Sequence, residues 1–331
     1  MKILITGGAG FIGSTIASAC LDAGHLPVVV DDLSTGVLPF VAGRVFYCGD
    51  IADPALLRRV LAEHPDIAAT VHCAAHIVVP ESVADPLRYY RNNVAKTVDL
   101  LQSLTDGGCR RVLFSSSASI YGRTADFGVD EDCPLEPASP YARTKAMMEQ
   151  VLADTAATGR VAALSLRYFN PIGADPRLRT GLQIRRPSHA LGRLLDAARD
   201  GTAFTITGTD WPTRDGSGLR DYIHVWDLAR AHVRALERFD VVVPSGYRAL
   251  NVGTGTGTTV RELVAAFEQV TGAGLPVREG PPRPGDVAGA YARVGRAQQA
   301  LGWRAELSIT DGIRDALAWL EVRDAVLGAG G

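Results

Sequence analysis

Two side chains four residues apart carry the chemistry: Tyr141 and Lys145, in Ser139-Pro140-Tyr141-Ala142-Arg143-Thr144-Lys145. Positions i and i+4 share one face of a helix. Ser139 suits an N-cap and Pro140 a first turn, so the run predicts a helix start. A phenol titrates near pH 10 and is a poor base at neutrality. A neighbouring ammonium stabilises the phenolate. The tyrosine then serves as a general acid/base near pH 7. Upstream, the apolar run Val112-Leu113-Phe114 ends in Ser115-Ser116-Ser117 and continues into Ala118-Ser119-Ile120-Tyr121-Gly122. Ser117 can hydrogen-bond a substrate oxygen as charge develops there. Taken without Tyr141 and Lys145, the serines would read as a turn.

A second constellation stands at the start of the chain. Gly7-Gly8-Ala9-Gly10-Phe11-Ile12-Gly13 follows an apolar strand and opens a helix. Glycines at 7, 10 and 13 allow a pyrophosphate to approach the backbone and let helix and strand pack closely. The helix N-terminus adds unpaired N–H groups and a positive dipole end. Asp31 follows the last glycine at roughly the 20-residue spacing of dinucleotide sites and can accept bonds from the adenosine ribose hydroxyls. Asp31-Asp32 would repel a 2′-phosphate, and no arginine stands beside them, so NAD is expected rather than NADP.

These residues need a scaffold, and the first half of the chain supplies its pattern. Short apolar runs occur at Ile3–Ile5, Val28–Val30, Val45–Tyr47, Ala69–His72, Val112–Phe114 and Ala162–Leu166. They are rich in Val and Ile and lack polar alternation, as parallel strands covered on both faces do. Helices are expected between them at Ile12–Ala23, Pro54–Glu63, Val94–Asp106 and Pro140–Thr158. This rhythm predicts an α/β fold with a doubly wound parallel sheet, whose strand ends face a ligand crevice. After Pro171 the rhythm weakens. Helices are expected at Ser188–Asp200, Val225–Arg238, Val260–Thr271 and Thr310–Leu320. Gly280-Pro281-Pro282-Arg283-Pro284-Gly285 reads as a loop, because prolines bar a central strand. Residues 1–171 are therefore expected to bind the cofactor. Residues 172–331 are expected to form mainly a smaller, interleaved substrate lobe, with some segments returning to the first domain.

Composition narrows the partners. Among 331 residues the net charge is -2, so there is no bulk attraction to nucleic acid or to an acidic membrane. The doublets Arg110-Arg111 and Arg185-Arg186 read as solvated surface. Cys20, Cys48, Cys73, Cys109 and Cys133 lack CxxC spacing and read as free thiols in a reducing compartment. No metal-ligand spacing occurs, so no metal is expected. The first strand begins at once, without a signal-peptide pattern, and no apolar stretch is long enough to span a bilayer. A cytoplasmic protein is expected. His72, His76 and His224 adjoin strand ends and read as satisfied structural histidines, since Tyr141 fills the acid/base role.

The set Gly7 to Gly13 with Ser117, Tyr141 and Lys145 resembles the extended short-chain dehydrogenase/reductase family, with its Rossmann fold. Narrower segments resemble the UDP-glucose/UDP-galactose 4-epimerases within it. These are Leu166-Arg167-Tyr168-Phe169-Asn170-Pro171-Ile172-Gly173-Ala174, then Asp210 to Val225 around Gly218-Leu219-Arg220-Asp221-Tyr222-Ile223-His224, then Arg283-Pro284-Gly285-Asp286. The resemblance implies NAD-dependent epimerisation at C4 of a UDP-hexose through a 4-keto intermediate, with Ser117, Tyr141 and Lys145 catalytic. It implies that Gly7, Gly10, Phe11, Ile12, Gly13, Asp31, Asp32, Leu33, Ser34, Thr35 and Gly36 line the cofactor. Asp50, Ile51, Cys73, Ala74, Ala75, Asn92, Ser115, Tyr141, Lys145, Tyr168 and Phe169 complete that lining. The UDP-sugar is assigned Ser117, Tyr141, Asn170, His189, Arg220, Tyr222, Arg283, Asp286 and Ala290. A homodimer packed through two helices of the cofactor lobe is also implied.

Three departures from the pattern stand out. Ile77 occupies a position where related epimerases often carry lysine. His189 replaces the usual asparagine. Either Ala290, which leaves space beside the sugar's carbon 2, or its neighbour Tyr291, which fills it, gates an N-acetyl group. Other readings on the same scaffold are a UDP-uronic acid 4-epimerase, a 4,6-dehydratase and a non-catalytic NAD-binding protein. Dehydratases carry Asp-Glu after the serine, where this chain has Ala118-Ser119. Non-catalytic relatives typically lose the tyrosine or the lysine, and both are present here.

Overall fold

The computed structural model describes residues 1–282 and 287–328. Seven parallel strands form its central sheet. They are β1 (Lys2–Thr6), β2 (Leu26–Asp31), β3 (Val45–Cys48), β4 (Ile67–His72), β5 (Arg111–Ser115), β6 (Ala162–Tyr168) and β7 (Tyr247–Val252). Their spatial order is β3-β2-β1-β4-β5-β6-β7. The winding reverses between β1 and β4, so the ligand crevice belongs above their carboxyl ends. The expected doubly wound parallel sheet is therefore present.

Burial of both faces explains why the inner strands read as unbroken apolar runs. Ile3 and Ile5 join one core with Leu113, Leu164 and Leu250. Leu4, Val112 and Phe114, on the alternate positions, join the other. Helices α1 (Phe11–Asp22), α2 (Pro54–Glu63), α3 (Lys96–Asp106) and α4 (Pro140–Ala157) lie between the strands in sequence. The expected helix at Val94–Asp106 begins instead with a π-helical turn over Tyr90–Ala95.

The later part of the chain adds α5 (Ala190–Arg199), α6 (Val225–Glu237), α7 (Val260–Thr271) and α8 (Ile309–Leu327). The last of these runs seven residues beyond the expected Leu320. Short strands knit this part to the first. Asn170–Ile172 pairs with Tyr222–His224, and Leu219–Arg220 pairs with Thr258–Thr259 and with Gly289–Ala292. Gly289–Ala292 in turn pairs with Gly128–Val129. A further core of Leu191, Leu194, Phe204, Ile206, Leu263, Phe267 and Ile313 lies among α5, α7 and α8. No helix among the described residues is long and apolar enough to cross a membrane.

Candidate active site

The glycine turn is built from backbone contacts. Gly7 has φ +71°, and a Cβ there would lie 2.7 Å from the Ala74 nitrogen, so the turns after β1 and β4 touch at the switch point. A Cβ on Gly13 would lie 2.3 Å from the Gly7 carbonyl oxygen. Gly10 differs: a Cβ would meet nothing nearer than 3.5 Å. The protein itself does not require glycine at 10, which leaves open space of the kind a pyrophosphate fills. Among the described residues no side chain caps α1 at Gly10, so its first N–H groups stay available to an anion.

Asp31 closes this turn. One carboxylate oxygen accepts the Ala9 N–H at 2.9 Å and the other the Leu33 N–H at 2.8 Å. Each oxygen keeps lone-pair capacity for a ribose hydroxyl. Burial raises this carboxyl above its usual range, against the pull of those two N–H groups. Asp32 accepts the Ser34 N–H, and the Thr35 carbonyl accepts from Gln183. Gly36 packs against Ala9 and Asp31. Beyond β3, one oxygen of Asp50 accepts the Ala52 N–H at 2.9 Å, and Ile51 is buried.

Helix α4 starts where the sequence placed it. The Ser139 hydroxyl accepts the Ala142 N–H at 3.2 Å, and Pro140 takes the first turn. Tyr141 and Lys145 then face inward, 8% and 1% exposed. The Lys145 ammonium donates to the Ser115 carbonyl at 2.8 Å and stands 4.6 Å from the centre of the Phe114 ring. It therefore lies over the carboxyl end of β5. Burial lowers it to about 8, with Cys73 and Glu149 pulling the other way. Burial likewise raises the Tyr141 phenol, and a hydrogen bond with Ser117 opposes that rise. The ammonium donates to the Ser115 carbonyl and, among the described residues, no hydrogen bond joins it to the phenol, so its support for the phenolate acts through space.

The three successive serines have three different partners. The Ser115 hydroxyl meets His232 at 2.9 Å and the Cys73 thiol at 3.2 Å. Ser116 donates to Glu149. The Ser117 oxygen accepts the Ser119 N–H and lies beside Tyr141. Tyr168 is buried near Tyr141, and Phe169 packs with Tyr121, Val129 and Ala292. Cys73 is tied to β1 through its N–H, and burial pushes its thiol up to about 11. Ala75 and Asn92 are both only partly buried. The neighbouring Asn93, rather than Asn92, is the buried clamp. It binds the main chain of His76 on both sides and the Thr144 hydroxyl.

The residues assigned to the UDP-sugar occupy the small sheets. Asn170 and Tyr222 are register partners, as are Arg220 and Ala290. Tyr222 is 5% exposed, and among the described residues its hydroxyl has no hydrogen-bond partner. Arg220 donates to the carbonyls of Leu219, Val287 and Ala288. His189 accepts the Gly192 N–H through Nδ1 and so caps α5, a task asparagine also performs. Ala290 packs against the cluster of Tyr121, Phe169 and Ala292. Tyr291 points to the other face, where its hydroxyl covers Gly128. Arg283 and Asp286 lie outside the described residues.

His72 and His224 are satisfied structural histidines, as read. His72 sits between the hydroxyls of Thr6 and Thr97, and His224 between the Trp226 N–H and Asp315. Several supporting residues escaped the sequence reading. Glu149 holds Arg167 in a buried ion pair at 2.7 Å. Asp221 accepts the N–H groups of Thr254, Gly255 and Ala292 and the Thr254 hydroxyl, which ties three separate segments together. Its signal was present, since it lies within the segment around Arg220 and Tyr222.

This geometry stands beside three likenesses. The chain is 40% identical over 330 residues to the UDP-glucose 4-epimerase of Bacillus subtilis, covering 96% of each. It superposes with a TM-score of 0.94 on the UDP-glucose 4-epimerase of Stenotrophomonas maltophila with bound NAD and formylated UDP-arabinopyranose. That pair shares 38% identity, over 98% of this chain and 99% of the other. A TM-score of 0.90, with 34% identity over 97% and 98% of the chains, relates it to the Bifidobacterium longum enzyme in complex with NAD+ and UDP. The profile of the NAD dependent epimerase/dehydratase family matches residues 3–253, and the chain belongs to that family.

Proposed function

We propose that this chain interconverts UDP-glucose and UDP-galactose by inverting carbon 4 through a 4-keto sugar, with NAD retained. The observation that carries the reading is Tyr141 and Lys145 buried on one helix face at the end of β5, beside Ser117. The open space at Gly10, the uncapped start of α1 and the spare capacity of Asp31 fit a dinucleotide. When bound, NAD supplies a reversible hydride acceptor. Tyr141 takes the proton from the 4-hydroxyl and returns it to the same oxygen. Ser117 hydrogen-bonds that oxygen while its charge changes. Lys145 favours the phenolate through its field and holds the cofactor ribose.

On this reading Asn170, His189, Arg220, Tyr222, Arg283 and Asp286 hold the UDP. The unpartnered Tyr222 phenol, pushed up to about 12 by burial, is a donor that a diphosphate or uridine oxygen satisfies. The small Ala290 leaves room for an N-acetyl group at carbon 2, so the N-acetylated sugars are also substrates. Residues 1–171 form the NAD-binding domain and 172–331 mainly the sugar lobe, with β7 as a returning segment. The free, buried Cys20 and Cys109 suit a reducing compartment, and the reading assigns the chain to the cytoplasm.

Incubation with UDP-glucose, UDP-N-acetylglucosamine and UDP-glucuronate, followed by separation of products, tests the proposal. C4 epimers of the first two are expected, and Tyr141→Phe should lower turnover by about 100-fold or more. Protein that carries no NAD and converts none of the three would overturn it.

Two copies of the chain are proposed to pair through α3 and α4. Val98 and Met147 on these helices are 47% and 46% exposed, and covering them stabilises a dimer. Charging both, with Val98→Glu and Met147→Glu, should shift the sedimenting mass to that of a monomer. A wild-type chain that already sediments as a monomer removes this part of the reading.

A further inference from the structure

Three carboxylates gather beyond the sheet's carboxyl edge, away from Tyr141. Asp31 and Asp32 end β2, and Asp50 follows the neighbouring β3. An anionic dinucleotide docking beside three unbalanced carboxylates would be repelled. One cation meets this group directly: the Lys96 ammonium is 2.7 Å from one Asp50 oxygen. Its field also reaches Asp32, whose carboxyl is held low by Ser34, Lys96 and His76 against the effect of burial. His76 is the weaker partner, since burial, Arg88 and Lys96 lower its affinity for a proton against the pull of Asp32 and Glu81. Ile77, on the same segment, carries no charge and is 53% exposed.

Lys96 is presented from a fixed frame. It opens α3, directly after the π-helical turn. Asn93 clamps that turn to His76 and Thr144, and Thr97 bonds the His72 ring. The aspartate it meets is fixed as well, its other oxygen holding the Ala52 N–H at 2.9 Å. A carboxylate tied at one site on each oxygen keeps lone pairs for an incoming amine.

We propose that Lys96 is a cofactor-positioning residue that holds Asp50 for the amino group of adenine and offsets the carboxylates around the adenosine half of NAD. The inference rests on reading this crevice as the NAD site. It assigns the role to a side chain one helix away from the strand ends, where sequence spacing gives no hint of it.

Binding of ADP-ribose, which is NAD without its nicotinamide, and of nicotinamide mononucleotide, which lacks the adenosine, separates the role from general damage. NAD release from the purified holoenzyme is followed alongside. Lys96→Ala should weaken ADP-ribose about tenfold and speed NAD release to match. Nicotinamide mononucleotide should bind as it does to the wild type, and Lys96→Arg should restore ADP-ribose binding to within about threefold. Lys96→Met keeps the aliphatic stem and should behave like the alanine variant. Unchanged ADP-ribose binding in Lys96→Ala overturns the proposal while leaving the NAD site standing, as does equal weakening of both ligands. A wild-type chain with no affinity for NAD or ADP-ribose overturns both.

Discussion

The glycines after β1 look alike in sequence and differ in what they serve. At Gly10, φ is -85° and an added Cβ makes only an ordinary 3.5 Å contact. Gly10→Ala should therefore leave urea unfolding within about 0.5 kcal/mol of the wild type. Its methyl group points into the space assigned to the pyrophosphate, so NAD retained through purification should fall at least several-fold. At Gly13 the added Cβ meets backbone, at 2.3 Å from the Gly7 oxygen and 2.9 Å from the Gly8 Cα. Backbone cannot swing aside as a side chain can, and Gly13→Ala should cost about 1–3 kcal/mol of stability. Equal losses of NAD and of stability in both variants would refute this division of labour. Spacing alone could not have made the distinction, because it depends on what stands behind each Cα.

Helix α4 shows how a single element gathers a site. Tyr141, Lys145 and Glu149 recur at i, i+4 and i+8 on its buried face. Its start was legible because Ser139 and Pro140 are local signals. The six apolar runs were legible because a strand covered on both faces needs no polar alternation. Strand β7 was not: Tyr247-Arg248-Ala249-Leu250-Asn251-Val252 lies at the sheet edge and mixes an exposed arginine with a buried asparagine. That asparagine is there to accept from Tyr121 and donate to Val129. The π-helical turn at Tyr90–Ala95 was hidden too, since a wider turn leaves no compositional trace. The pair Glu149–Arg167 joins a helix to a strand, and only the assembled fold brings it together. Arg167 reaches Glu149 through Nε at 3.0 Å and Nη2 at 2.7 Å, and both side chains are almost wholly buried. Glu149→Ala strands a buried guanidinium and should cost about 3–5 kcal/mol, whereas replacing both by leucine should recover much of the loss. Urea unfolding of the single and double variants checks this, and a single variant within about 1 kcal/mol of the wild type would contradict it.

Summed over the molecule, the buried histidines set its response to acid. His72 and His232 are enclosed on all sides, and burial lowers them to about 3 and about 4. Lys145 adds to the effect at His72. Burial keeps His232 neutral against the pull of the Leu228 carbonyl at one ring nitrogen, while the other nitrogen meets the Ser115 hydroxyl. His224 is also lowered by burial, against the pull of Asp315 and Asp227. At His72 and His232 an unfolded chain binds protons near pH 6.5, while the folded chain does not until near pH 4 or below. Their contribution is thus fully present above pH 6.5 and is lost as pH falls toward the folded values. By pH 5, His72 and His232 should each have removed about 2 kcal/mol. The buried Asp31, Asp221 and Asp227 act in the opposite sense, because burial raises each of them. Unfolding free energies at pH 7 and pH 5 should differ by several kcal/mol in the wild type. His232→Gln keeps a hydrogen-bonding side chain without a titrating group and should shrink that difference by about 2 kcal/mol. A variant as acid-sensitive as the wild type would mean that His232 is already protonated in the fold at pH 5, which its complete burial argues against.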